Sequence, residues 1–260
     1  MISVDGRPPK AGDPDGCFGH WSAQASFDVA PRLSIPELCP GLPAGHIAFM
    51  HDPGTGQYLV LLEGKPAAGK TSVGKTAAAR GIPGISMVHL SAGDTLRDIA
   101  SGKSDSSHTK ELQVYQDALA RHEVLPHDVV ETVIEEAIGK LPQKVILVDG
   151  YPRDLEQLKG FEAMIKRLGR KVVAIVNVHA PDDVVRQRML NRPTRHSENP
   201  YTEQTVDARL ARYHDYTDPA FATLAIDLGI ERSQIVTNES VESSADSLRV
   251  LIADALRQEK

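Results

Sequence analysis

The chain has 260 residues, enough to bury roughly 70% of the surface its unfolded form exposes, so neither disulfides nor a structural metal are required to hold a core. Its 41% hydrophobic and 25% charged content is ordinary for a globular protein in water, and no apolar run approaches the ~18 residues of a membrane span. A formal net charge of −6 argues against a general nucleic-acid-binding surface, while local basic clusters can still receive phosphates.

Residues 1 to about 44 are rich in proline, glycine and polar residues without a sustained period, the pattern of a loosely ordered extension rather than a second domain. Both cysteines, Cys17 and Cys39, lie there and suggest no disulfide framework. The opening MISVDGRPPKAGDPDG has no apolar leader and carries early aspartates, so the expected location is cytoplasmic. HIAFMHDPGTGQYLVLL reads as a hairpin turning at DPGTG, which would add a strand ahead of the core. The expected division is an extension over 1–57, partly disordered or adding a strand, and a core over 58–260.

From residue 58, short β-branched apolar runs alternate with helical patterns. YLVLLEG, ISMVHL, KVILVDG, KVVAIVNVHA and SQIVTN read as buried strands, each bounded by breakers. Helices are expected over 70–80, 109–123, 127–139, 154–168, 182–191, 203–215 and 241–258, with Val129, Val133, Ile134 and Ala137 on one face. Such alternation specifies an α/β domain built on a parallel sheet.

Behind the first strand, Gly64, Lys65, Pro66, Ala67, Ala68, Gly69, Lys70 and Thr71 fit G-x-x-x-x-G-K-[ST], and a helix opens at once. Strand, loop and helix in that order are the context a phosphate-binding loop requires. Small residues let successive N–H groups point inward, the helix N-terminus adds positive potential, Lys70 reaches the outer phosphates and Thr71 can serve Mg²⁺. A glycine-rich β-to-α turn with a solvated lysine is the plainer alternative.

HLSAGDTLR (His89 to Arg97), VILVDGYPRDLEQ (Val145 to Gln157) and RLARYHDYT (Arg209 to Thr217) follow the loop in order. In sequence, spacing and context these motifs resemble the nucleoside monophosphate kinases of the adenylate kinase and UMP/CMP kinase type, over about residues 58–258. The resemblance implies a P-loop nucleoside triphosphate hydrolase-like fold: a five-stranded parallel sheet flanked by helices, a helical acceptor-binding insertion (91–139) and a short lid (192–205). It implies Mg²⁺ and ATP as phosphoryl donor, with ATP held by Lys65, Pro66, Ala67, Ala68, Gly69, Lys70, Thr71 and Ser72 together with Arg188 and Arg192.

On the same resemblance, Ala92, Arg97, Gly150, Arg153, Gln157 and Arg209 would bind the acceptor. Arg97 and Arg153 would grip its phosphate, because a planar guanidinium can bind two oxygens at once. Catalysis would fall to Lys70, Arg153, Arg188, Arg192, Arg195 and Arg209, since transfer between two polyanions needs several fixed cations. Thr71 and Asp149 would hold Mg²⁺, partly through water, and Asp94 would brace the loop region. Plainer roles compete: a surface helix residue for Arg97, a helix-start partner of Asp154 for Arg153, a solvated face for the arginines between 186 and 195, and bonds to loop amides for Asp149. Gln157 either reads an adenine edge or completes a capping box with Asp154.

The departures lie in RPTRHSENPYTEQT, Arg192 to Thr205, a short flap. Where relatives carry a further arginine and acidic residues, this chain has Glu198, Pro200 and Tyr201, so either Arg195 substitutes for the missing cation or the transition state has lost one clamp. Ala92 matches the UMP/CMP type and Gln157 the adenylate kinase type; AMP is the favoured acceptor, with CMP or UMP as alternatives. A kinase for a specialised phosphomonoester, or a nucleotide-binding regulatory module with little turnover, are the other readings. The expected partners are small-molecule nucleotides, with no nucleic acid, no membrane and a monomeric state.

Overall fold

The computed structural model describes residues 56–120, 125–191, 201–237 and 240–259. In chain order they form β1 (Gln57–Glu63), α1 (Lys70–Arg80), β2 (Met87–Ser91), α2 (Ala92–Ala100), α3 (Thr109–Gln113), α4 (Gln116–Ala120), α5 (His127–Gly139) and β3 (Val145–Asp149). There follow α6 (Leu155–Arg167), β4 (Arg170–His179), α7 (Asp182–Leu190), α8 (Glu203–Arg212), a π-helical turn (Tyr213–Thr217), α9 (Asp218–Leu228), β5 (Arg232–Val236) and α10 (Val241–Gln258). The strands make one parallel sheet in the order β2-β3-β1-β4-β5.

Both faces of that sheet are covered, which is why its strands read as continuous apolar runs rather than alternating ones. Along β1, Leu59 and Leu61 enter the layer formed with α2 to α6 and α9. Tyr58, Val60 and Leu62 enter the opposite layer, formed with α1 and α10. A smaller cluster joins Ala68 of the phosphate loop to Val185 and Met189 of α7 and to Val206 and Leu210 of α8.

Several elements differ from the sequence expectation. The helix expected over 109–123 is divided: Tyr115 N–H donates to the Leu112 carbonyl at 3.0 Å, a three-residue step that tightens the chain between α3 and α4. Leu112 and Leu119 nevertheless both reach the core. Helix α2 begins inside the HLSAGDTLR motif, capped by Ser91, whose Oγ accepts from Asp94 N–H at 3.3 Å. Helix α9 was not anticipated, because its apolar run of Ala220, Phe221 and Leu224 follows a helix whose end is blurred by the π-helical turn. The residues expected to pair with β1 as a hairpin lie outside those described.

Helix α1 crosses so close to β2 that a Cβ on Gly74 would stand 2.3 Å from Cδ2 of His89 and 2.9 Å from a methyl of Leu62. The His89 side chain is only 3% exposed and has little room to withdraw. Gly74→Ala gains about 1 kcal/mol of helix propensity, but overpacking costs up to about 3 kcal/mol. We expect a net loss of about 1–2 kcal/mol, seen as a melting temperature lower by roughly 3–6 °C; an unchanged or higher Tm would show that the ring yields freely.

Candidate active site

Strand register decides what meets at the carboxyl edge of the sheet. Asp149 pairs with Leu62 of β1 and with Ser91 of β2, and Glu63 pairs with Asn177 of β4. The phosphate loop, the end of β3 and the start of α2 therefore open onto one cleft, of about 330 Å³, as expected for a parallel α/β sheet whose strand order reverses there.

Gly64 begins the loop at φ 143°, and a Cβ there would lie 2.3 Å from the Val178 carbonyl oxygen, so only glycine fits. Ala67 also has positive φ, 59°, a left-handed conformation that costs a non-glycine residue roughly 1–2 kcal/mol. Lys70 Nζ donates to the carbonyls of Gly64 and Lys65 at 2.7 and 2.8 Å, closing the loop around its ammonium. Desolvation in this recess pulls the Lys70 pKa below its ordinary value; Asp149 and Glu63 oppose the shift, while Arg153 and Arg209 reinforce it.

Thr71 Oγ1 donates to Asp149 Oδ2 at 2.5 Å, and His89 Nε2 stands 3.6 Å from the same oxygen, outside hydrogen-bonding distance. Burial alone would raise the Asp149 carboxyl pKa, yet the neighbouring His89 ring, the Lys70 ammonium and the Thr71 hydroxyl hold it below the usual range. Asp149 is thus a carboxylate at neutral pH. Among the described residues no group of three or more His, Cys, Asp and Glu side chains could hold a metal by itself. One carboxylate and one hydroxyl at a phosphate loop are nonetheless a donor set suited to Mg²⁺, which keeps several waters and takes its remaining ligands from phosphates.

The same cleft is lined by Ala92, Arg97, Gly150, Arg153 and Gln157. Arg97 donates to Asp94 Oδ1 at 2.6 Å, and Lys75 lies 3.5 Å from Asp94 Oδ2, so Asp94 ties α2 to the helix behind the phosphate loop. Arg153 donates through Nε to the Gly150 carbonyl at 2.8 Å. Asp154 caps α6 through Oδ1, which accepts from Gln157 N–H, but Gln157 Oε1 accepts from Arg153 N–H rather than from Asp154 N–H, each at 2.9 Å, so the expected capping box is only half formed. Gln157 lines the cleft as well.

Other candidates lie outside this cleft. Lys65 directs its ammonium to the Ala180 carbonyl and to Asp182 at the start of α7. Arg188 donates to the carbonyls of Ala68 and Thr237 at 3.3 and 2.8 Å, behind the loop. Ala68 and Gly69 do not line the cleft, while Pro66 and Ala67 do. Ser72 is exposed on the first turn of α1. Arg192 and Arg195, with Glu198 and Pro200, fall outside the described residues.

The cleft also contains residues the sequence reading missed. Lys75, Tyr201, Arg212 and Tyr213 line it. Arg209, Arg212, Tyr213 and Thr217 recur at helical spacing, a stripe that a period count from Arg209 would have found. Glu63, buried at the last position of β1, accepts from Asn177 Nδ2 at 2.7 Å and from Tyr213 Oη at 2.9 Å. It also pairs with Arg232, which bonds Asp218 as well.

The family model described as adenylate kinase matches residues 62–225. The chain belongs to the adenylate kinase family. It is therefore a nucleoside monophosphate kinase, and its five-stranded parallel sheet is consistent with the P-loop kinase fold of adenylate kinases. The adenylate kinase of Nautilia profundicola is 36% identical over 136 residues, covering 52% of this chain and 67% of that relative. The adenylate kinase of a Sulfurovum species is 32% identical over 165 residues, 62% of this chain and 79% of the relative. The adenylate kinase of Thermus thermophilus is 30% identical over 165 residues, 63% of this chain and 81% of the relative. Among the described residues of this adenylate kinase family member, no helix is long and apolar enough to cross a membrane.

Proposed function

We propose that the protein transfers the γ-phosphoryl group of Mg·ATP to a nucleoside monophosphate, with AMP as the favoured acceptor. The observation that carries this reading is that Lys70, Arg153 and Arg209 line one cleft. Lys70 closes the phosphate loop and Arg153 and Arg209 line the same cleft, so a phosphoryl group transferred within it would meet all three cations. The reaction needs no covalent intermediate: positioning of two polyanions and neutralisation of the moving charge supply the catalysis.

In this reading the loop amides and Lys70 hold the donor's outer phosphates, and Arg97 and Arg153 hold the acceptor's phosphate. Thr71 and Asp149 would hold Mg²⁺, which when bound supplies charge neutralisation across the donor phosphates. Gln157 supports AMP, because its Oε1 has a second lone pair beyond the one taken by Arg153 N–H and its amide nitrogen can donate, matching a base edge with both a donor and an acceptor.

A coupled ATP-consumption assay over AMP, CMP, UMP, dCMP, GMP and non-nucleotide phosphomonoesters tests the reading. AMP is expected to give the highest kcat/KM, by roughly tenfold or more over the pyrimidine nucleotides, the discrimination that one or two base-edge hydrogen bonds can supply. Turnover confined to a non-nucleotide phosphomonoester would replace the acceptor assignment. ATP binding without transfer to any acceptor would overturn the proposal as a whole.

A further inference from the structure

We infer that Tyr201 is the positioning residue for Arg209, holding the guanidinium over the cleft without neutralising it. This inference rests on the role given to Arg209 above. Several arginines, among them Arg97, Arg186 and Arg232, are held by carboxylates. Among the described residues no carboxylate pairs with Arg209. Among the described residues, two contacts of its guanidinium go to one side chain: Nη1 donates to the Tyr201 hydroxyl, and the guanidinium carbon lies 5.3 Å from the centroid of the same ring.

Tyr201 can serve as a support because its other side is anchored. Its ring packs against the apolar cluster built from Ala68, Val185, Met189 and Leu210, which backs the phosphate loop itself. The phenol thus bridges two fixed bodies, the loop that carries Lys70 and the helix that carries Arg209.

The chemistry of a phenol suits this task better than that of a carboxylate. A carboxylate would fix the guanidinium but offset its charge, and an incoming phosphate would have to displace it. A neutral hydroxyl accepts the hydrogen bond and an aromatic face attracts the cation, so direction is fixed while the positive charge stays available for phosphate oxygens. Preorganised charge of this kind acts without rearrangement at the moment of transfer.

The test is a double-mutant cycle on the full chain, with kcat, both KM values and Tm measured for Tyr201→Phe, Tyr201→Ala, Arg209→Ala and the double variant, using ATP and AMP. Tyr201→Phe, which keeps the ring and its packing, should lower kcat by roughly threefold, and Tyr201→Ala by roughly tenfold or more, with KM for ATP within about twofold of wild type. In the Arg209→Ala background the Tyr201→Ala change should have no further effect, because nothing is left to position. Should Tyr201→Ala fail to fold, Tyr201→Phe carries the test through its own split between kcat and KM. Independent, multiplying losses in the double variant would overturn the inference, as would Tyr201 variants of wild-type rate beside a slow Arg209→Ala enzyme; both leave the proposed function standing. A fully active Arg209→Ala enzyme would instead remove Arg209 from the reaction and the inference with it.

Discussion

Replacing Lys70 with alanine is expected to lower kcat by roughly 10³-fold or more while the protein stays folded. The expectation follows from what Lys70 touches. Its ammonium is bonded to two carbonyls of the loop and its side chain lines the cleft, so removing it deletes a cation from the phosphate cradle rather than an apolar group from the core. Its recess already disfavours the charged form, so its loss also relieves a desolvation cost, and Tm should fall little or not at all. Steady-state kinetics with saturating ATP and acceptor, beside a thermal melt, separate these quantities. Near wild-type turnover would take the phosphate loop out of the mechanism; a collapse of Tm would mean that Lys70 braces the loop rather than serving a ligand.

Arg153→Ala should act on the other substrate. We expect kcat/KM for the acceptor to fall by roughly 100-fold, equivalent to about 2.7 kcal/mol, with the dissociation constant for ATP changed less than about threefold. Arg97→Ala should cost less, roughly 10- to 30-fold, because Arg97 already holds Asp94 at 2.6 Å and gives up part of that ion pair when it turns to a phosphate, whereas Arg153 gives up only a carbonyl contact. Isothermal titration with ATP alone, followed by acceptor kinetics, distinguishes the two roles. Equal losses of ATP and acceptor binding in Arg153→Ala would contradict this division of labour.

What could be read in advance follows from how local each feature is. The phosphate loop was legible because its chemistry belongs to consecutive backbone amides, so its eight residues carry it whole. The strands were legible because a sheet covered on both faces admits only apolar runs. Arg97 and Arg153 each sit inside a motif, and their meeting in one cleft follows from the ends of β2 and β3 lying side by side.

Tyr201 and Glu63 were not legible in this way. The contact of Tyr201 with Arg209 depends on how the chain enters α8, and Glu63 looks from sequence like the polar end of a strand. Only the register of β4 and the π-helical turn bring Asn177, Tyr213 and Arg232 onto it. The expected helix over 203–215 hid that turn, because no residue in YHDYT marks a change from α to π winding. The left-handed φ of Ala67 was equally invisible, since an alanine has no side-chain polar group that would mark a conformation costly for any L-residue.

The buried meeting of Glu63 with Arg232 has a consequence for how such a sequence can change over time. Loss of Arg232 alone leaves the buried Glu63 carboxylate without its counter-charge, typically a penalty of about 3–5 kcal/mol. Loss of Glu63 alone leaves Arg232 paired with Asp218 but takes the acceptor from Tyr213 and Asn177, a cost of about 1–3 kcal/mol, whereas exchanging the set for well-packed apolar residues can be neutral. The intermediate on either route is the less fit state, so each residue protects the other from replacement. Tyr213 and Asn177 bond the same carboxylate and are drawn into that mutual protection. A lineage that acquires a charge at this strand end therefore tends to keep it, whether or not the reaction next door benefits.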